Sequence, residues 1–352
     1  MRQFKLILAL LMVLFLVSCG GSGSAGNQSP KISFSSQVVF GDSLSDVGTY
    51  KVGTVAALGG GEYTINGAGK NWTELMAAQL GLPAPCAAQT GLAGSAVLGF
   101  NVPVVNHAGC TGYAQGGARV TNPIGPGNAA LGAPYSTLGE LTVPVVTQIN
   151  NHLAASGGSF KGNEIVFVMA GGNDVFIQLA SVSAGLPAAS AVVAMGTAAS
   201  ELVADINTLI LAKGAKYVTV VNIPDVSITP FAAALGAPTQ GLIATMTNAF
   251  NSQLQSGLAG NPNVLLVDAF TASHDEFVNP APYGLTNVTT PACNLTSPSP
   301  NALGSSLVCN STNLIPGVVT NYLFADDVHP TPFGYLLLAR YVSRSMIIKG
   351  WL

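Results

Sequence analysis

Four short stretches of the sequence carry residue types that nucleophilic chemistry needs. In the first, Val38-Val39-Phe40 runs straight into Gly41-Asp42-Ser43-Leu44-Ser45-Asp46, which reads as a strand ending in a tight turn, with Ser43 where the next helix would begin. A serine hydroxyl is a weak nucleophile until a base takes its proton, and unpaired N–H groups at a helix start can hold a developing oxyanion. Alone, such a turn is more often a capped helix start, because Asp and Ser are favoured caps. In the second, Asp326-Asp327-Val328-His329-Pro330-Thr331-Pro332 places an acid three residues before a histidine, just ahead of the final helix. At that spacing Asp326 can accept from Nδ1 of His329, fix its tautomer and leave Nε2 facing a serine. The other histidines, His107, His152 and His274, lack comparable acid spacing and strand-end placement. The third stretch, Gly171-Gly172-Asn173-Asp174, follows the apolar run Ile165 to Met169 and by itself reads as a turn. The fourth, Gly112-Tyr113-Ala114-Gln115-Gly116-Gly117-Ala118, is rich in small residues that let a backbone N–H approach a ligand closely.

In this order and at these wide separations, GDSLSD, GGA, GGND and DxxHPT resemble the blocks of the GDSL esterases and lipases, the SGNH hydrolases. The resemblance spans Val38 to the last helix. It implies an α/β fold, a flavodoxin-like three-layer αβα sandwich whose doubly wound parallel sheet has five strands in the order 2-1-3-4-5. It also implies Ser43 as nucleophile, Asp326 with His329 as the remaining pair, and an oxyanion hole from Ser43, Gly117 and Asn173. Two positions depart from the family pattern: Gly112 stands where many members have Asn, and Thr49 where lipase-like members often have Asn. They leave Gly116 and Gly117 as rival oxyanion donors, with Gly117 favoured. Asp42, Asp46 and Asp174 are family-typical too, and are assigned to holding loops by hydrogen bonds.

The reaction so implied is hydrolysis of carboxylic esters through an acyl-enzyme; no metal-ligand cluster, GxGxxG or P-loop pattern points to a metal, nucleotide or prosthetic group, and short acyl chains are expected from the excursion 279–323 described below. A phospholipase or lipid acyltransferase and an acetylated-glycan deacetylase are alternatives, since one fold hosts many substrates. A non-catalytic surface lipoprotein is the alternative of another class; the intact set of blocks speaks against it.

The elements that must position these turns are legible as apolar runs. QVVFGDS, EIVFVMAGGND, KYVTVVNIPD and NVLLVDAF read as strands buried on both faces. Helices are expected at 71–80, 138–155, 188–213 and 238–257, and from Pro332 to about Ile348. Two long excursions interrupt the alternation, 84–135 and 279–323, each holding two cysteines. The second is expected to form a wall of the site and to restrict the acyl pocket, because Leu285, Leu295, Leu303 and Leu307 are scattered within it.

Composition bounds the rest. Apolar residues make up 49% and charged ones 8%, which excludes a disordered charged tail, and 12 Lys and Arg against 15 Asp and Glu, without a basic run beyond the first residues, exclude nucleic acid as a partner. Arg2, Lys5 and the apolar run Leu6 to Val17 read as an export signal over residues 1–18, too short to span a bilayer, and Leu16-Val17-Ser18-Cys19 resembles a bacterial lipobox. The expected mature protein therefore carries a lipidated Cys19, a tether over 19–35 and a single hydrolase domain over 36–352, held at a membrane. Gly20 in place of an aspartate resembles an outer-membrane destination. The four remaining cysteines allow three pairings, of which Cys86 with Cys110 and Cys293 with Cys309 join sequence neighbours.

Overall fold

The computed structural model describes residues 32–352 apart from Ala68 and Ser299. The expected signal peptide, Cys19 and most of the tether lie outside the described residues. Among the described residues there are six strands: β1 (Gln37–Gly41), β2 (Gln89–Ala93), β3 (Asn101–Asn106), β4 (Ile165–Met169), β5 (Tyr217–Val221) and β6 (Val264–Val267). The four apolar runs form one parallel sheet in the order β1-β4-β5-β6, and β2 and β3 form a separate antiparallel ribbon.

Alternation along the sheet strands divides their side chains between two cores. Val38, Phe40, Val166, Val168, Val218 and Val220 face one; Val39, Phe167, Met169, Val221 and Val267 face the other. The strand order runs in a single direction, so right-handed crossovers must all fall on one face. They do: α2 (Val145–Ala155), α3 (Gly172–Ser183), α4 (Ala188–Asp205) and α5 (Ala237–Leu258) pack on the first core. The second core is closed by α1 (Trp72–Gln79) and the C-terminal α7 (Pro332–Lys349), through Trp72, Met76, Tyr335, Val342 and Met346. A further helix, α6 (Ala269–Val278), follows β6 at the carboxyl end of the sheet.

This arrangement overturns the flavodoxin-like expectation of one five-stranded sheet in the order 2-1-3-4-5. Beside β1, where a fifth strand was expected, runs the irregular segment 111–115. It bonds to β1 through Val39 N–H to Thr111 O (3.0 Å), Tyr113 N–H to Val39 O (2.8 Å) and Gln115 N–H to Gly41 O (3.1 Å), yet only Gly112 pairs with Val39 as a bridge. Glycine disfavours strands, and here a side chain has no room: a Cβ on Gly112 would lie 2.8 Å from Cys86 O and 2.9 Å from Val47 Cγ2. The disulfide Cys86–Cys110 closes the chain immediately before this segment.

Helix boundaries also shift. The helix expected at 138–155 begins only at Val145, after Pro144 in an extended conformation. Conversely, α3 and α6 were not anticipated. The excursion 279–323 is closed by Cys293–Cys309, and its leucines pack into small satellite clusters, Leu285 with Leu323, Phe324 and Leu337, and Leu307 with Tyr50, Tyr63 and Phe100.

Candidate active site

Ser43 stands just beyond β1, in a turn that the strand's neighbours hold from three sides. Gly41 packs against the next strand so closely that a Cβ would lie 2.3 Å from Met169 O. The side chain of Gln148 on α2 then binds both backbone groups of Gly41, accepting its N–H at 2.9 Å and donating to its carbonyl at 2.8 Å. Asp42 accepts the N–H of Leu44 (3.1 Å), and Asp46 accepts those of Gly48 (2.9 Å), Thr49 (2.8 Å) and Gly116 (2.9 Å). Both carboxyls are buried, and burial pushes Asp42 up to about 7 and Asp46 up to about 6.

His329 arrives from the loop before α7, whose first turn is capped by the Thr331 hydroxyl with Pro332 at its first position. Its Nε2 lies 2.9 Å from Ser43 Oγ, and its Nδ1 lies 3.0 and 2.9 Å from the two carboxylate oxygens of Asp326. Asp326 further accepts the backbone N–H groups of Val328 (2.9 Å), His329 (2.7 Å) and Ser306 (3.0 Å). Burial opposes its ionisation, but His329 and these donors outweigh burial and hold the carboxyl well below the ordinary carboxylate range. For His329 burial again opposes the charge, and Asp326, with Asp42 and Glu140 behind it, prevails and raises the imidazole above its usual value. Asp327, the neighbouring acid, is bonded through its backbone carbonyl to Phe231 N–H at 3.0 Å.

The two rival glycines are distinguished by their partners. The N–H of Gly116 is taken by Asp46. Gly117, at φ +74°, has no acceptor for its N–H among the described residues, nor does the N–H of Ser43. Asn173 lies in the first turn of α3 and donates one amide hydrogen to Ala118 O at 2.8 Å, which leaves the other available. The adjacent Asp174 binds Arg119 Nε (2.8 Å) and Val120 N–H (3.1 Å). Asp42, Asp46 and Asp174 thus all hold loops.

Several residues here carried no signal in the sequence. The ring of Tyr63 lies 4.8 Å from the imidazole of His329, and its hydroxyl donates to Glu140 at 2.7 Å; burial raises Glu140 to about 7. Ser306 and Gln148 reach the site across 20 and 107 residues of chain, and no local pattern marks such partners. Among the described residues, no three His, Cys, Asp or Glu side chains gather as a metal-ligand group.

A largely apolar cavity opens beside Ser43, Asn173 and His329. Its walls come from Phe176, the loop after β5 at Ile223 to Thr229, Phe324 and one face of α6. The expectation that the excursion 279–323 forms this wall therefore needs correction: it supplies Leu323 alone, while Leu285, Leu295, Leu303 and Leu307 line other clusters. What the excursion does bring to the site is the Ser306 N–H on Asp326.

A family model described as GDSL-like Lipase/Acylhydrolase matches residues 38–342. Among curated proteins the chain is similar to Esterase EstA of Pseudomonas aeruginosa and to Esterase EstA of Pseudomonas putida, each 27% identical over 348 residues, covering 93% of this chain and 49% of the relative. The chain spans about half the length of these curated relatives. Among solved structures it is similar to the lipase Lip_vut3 from a goat rumen metagenome, at 12% identity and a TM-score of 0.41 over 88% of this chain and 96% of the other. It is also similar to phospholipase A1 from Streptomyces albidoflavus NA297, at 13% identity and a TM-score of 0.43 over 89% and 99%.

Proposed function

The chain belongs to the GDSL-like lipase/acylhydrolase family, and so to the serine hydrolases that act on ester bonds; from that premise we propose that Ser43 is the nucleophile, His329 its general base and Asp326 the acid that orients the base. One observation carries the reading: residues 286 positions apart in the chain bring Nε2 and Oγ to 2.9 Å, with the other ring nitrogen on a buried carboxylate. In the proposed reaction Ser43 attacks the ester carbonyl as His329 takes its proton. The oxyanion is received by the N–H groups of Ser43 and Gly117 and by the Asn173 amide. His329 then protonates the leaving alcohol, and water, deprotonated by the same ring, releases the acid from the acyl-enzyme.

Short acyl chains are the proposed substrates. The cavity beside Ser43 measures ≈ 110 Å³, comparable with the about 150 Å³ that holds a benzene ring, so a chain of up to about six carbons fits. Ester hydrolysis across p-nitrophenyl esters from acetate to laurate should fall steeply with length, and a profile rising toward laurate would favour a lipase reading instead.

The proposed location is outside the cytoplasm, on a membrane, through lipid attached to Cys19. The signal-like residues 1–18 support it, and so do two disulfides, which persist in oxidising compartments. Cys19→Ala should shift the protein out of the membrane fraction; unchanged fractionation would remove the lipid anchor from the proposal.

A further inference from the structure

Helix α6 turns one face into the cavity beside Ser43. Ala269, Ala272, Ser273 and Glu276 follow at i, i+3, i+4 and i+7, the spacing of a single helical face, and all four line it. Three of them are small. The fourth carries a carboxyl, roughly 10 Å further along the helix axis than Ala269 by the rise per residue, and Ala269 is the one packed on the sheet.

The polar groups around that end of the cavity are satisfied, with one exception. Asp225 accepts from Ser227 N–H at 3.0 Å and from the Ser227 hydroxyl, and it faces His274 Nδ1 at 2.8 Å. The Ser273 hydroxyl accepts the Asp225 N–H at 2.9 Å and donates to Phe270 O at 3.1 Å. Glu276 is 8% exposed, and its carboxyl has no hydrogen-bonding partner among the described residues. Burial, and then the neighbouring Asp275 carboxylate, raise it to about 7. The cavity lining includes neither Lys nor Arg to pair with it. An unpaired carboxyl on an apolar wall weakens the fold unless something else answers it, and a leucine would serve packing better.

We propose that Glu276 forms a recognition subsite on the α6 wall of the cavity, for a substrate chain that ends in a hydrogen-bond donor, a hydroxyl or an amine. This rests on the reading of Ser43 as nucleophile, because the same cavity holds the reacting ester. It narrows the substrate class from short acyl esters to short esters whose acyl chain is itself polar at its tip. A site built to pair with such a group discriminates strongly against an analogue that lacks it, since the analogue leaves the buried group unanswered.

The test compares ethyl hexanoate, ethyl 6-hydroxyhexanoate and ethyl 6-aminohexanoate as substrates of the wild type, Glu276→Gln and Glu276→Leu. The wild type should favour one donor-bearing ester over the plain ester at least tenfold in kcat/KM. Glu276→Leu should lose that preference and gain on ethyl hexanoate, with a melting temperature no lower than the wild type's. Glu276→Gln separates the two donors, keeping selectivity for the hydroxyl and losing it for the ammonium. Equal use of the plain and donor-bearing esters by the wild type, selectivity surviving in Glu276→Leu, or selectivity for the ammonium surviving in Glu276→Gln, would overturn the subsite. Binding of the three corresponding amides to Ser43→Ala, followed by calorimetry, reads the same order without turnover. If those amides rank as expected while no ester is cleaved by the wild type, the nucleophile reading fails and the subsite stands.

Discussion

Ser43 and His329 meet at 2.9 Å, but the regions that deliver them are held by different means. All five residues of β1 are buried between two apolar cores, and Gln148 ties off the strand's last residue. The acid side of the pair rests against an excursion rich in Pro, Ser, Thr and Asn, with only small apolar clusters. There, closure by Cys293–Cys309 and asparagine side chains bonding to backbone do the positioning: Asn66 to Ser306 O (3.1 Å) and Cys309 O (3.0 Å), Asn313 to Val308 O (3.0 Å). Dense apolar burial fixes a backbone without regard to individual polar contacts, whereas a polar loop must be fixed contact by contact. The place of Ser43 should therefore resist single substitutions that disturb the place of Asp326.

The largest effect is expected at Ser43, the proposed nucleophile. Ser43→Ala should lower kcat about 10⁴- to 10⁶-fold, by the behaviour of such triads, with an unchanged melting temperature because the sheet holds the turn. Activity within tenfold of wild type would remove Ser43 from the chemistry.

Next is the acid. Asp326→Asn should lower kcat by about 10⁴-fold, as loss of the orienting carboxylate does elsewhere, while Asp327→Ala should change it little. The base must be neutral to act, so the raised value of His329 predicts that kcat/KM falls with acidity from a pH above 6.5, its ordinary value. Asp326→Asn should move that limb to lower pH, and an unmoved limb would mean that another group titrates there.

A more moderate effect should follow from opening the excursion. Replacing Cys293 and Cys309 together by Ser removes closure of a short loop, worth about 3 kcal/mol on the chain-entropy model, and releases Ser306 from Asp326. Stability and kcat should fall together, with the chain-length profile of the substrates unchanged, since the cavity walls lie elsewhere. A changed profile with intact kcat would show the excursion acting on substrate rather than on the acid.

The smallest effect belongs to the β1 side. His152 on α2 is buried among Phe40, Tyr113 and Phe160 with both ring nitrogens unpaired, and burial lowers it to about 4. The unfolded chain takes up a proton near 6.5 that the folded chain refuses until about 4, so stability falls between those values as pH drops, by at most about 3 kcal/mol. His152→Phe should flatten that part of the melting curve against pH while leaving kcat untouched.

The gathering of Ser43, Asp326 and His329 was largely legible in the sequence, because these candidate residues lie within short turns near the ends of continuous apolar runs or helices. The four sheet strands were legible for the same reason. The fifth was not there to be found: Thr111-Gly112-Tyr113 lies beside β1 but cannot continue as a strand where Gly112 is pressed against Cys86 and Val47. The ribbon β2–β3 was hidden because its strands read QTGLA and NVPVVN, with Gly91 and Pro103 interrupting them, and because β3 is mostly exposed and so lacks a clear apolar face. Helix α6 was hidden by AFTASHDEFV, whose inward face is two alanines, a serine and a glutamate instead of large apolar residues. Long-range partners such as Ser306, Tyr63 and Glu140 depend on the folded path of loops, which periodicity does not encode.

The segment 111–115 has a consequence for the protein's handling before it is fully folded. The strand that leads to Ser43 is the outermost of its sheet, and a row of unsatisfied backbone groups there is a template for pairing with another copy. The irregular segment covers that row, and Cys86–Cys110 keeps the cover in place. With these thiols reduced the cover should be held less firmly, and self-association through β1 is the expected result. Reducing Cys86–Cys110 should therefore lower solubility as well as stability.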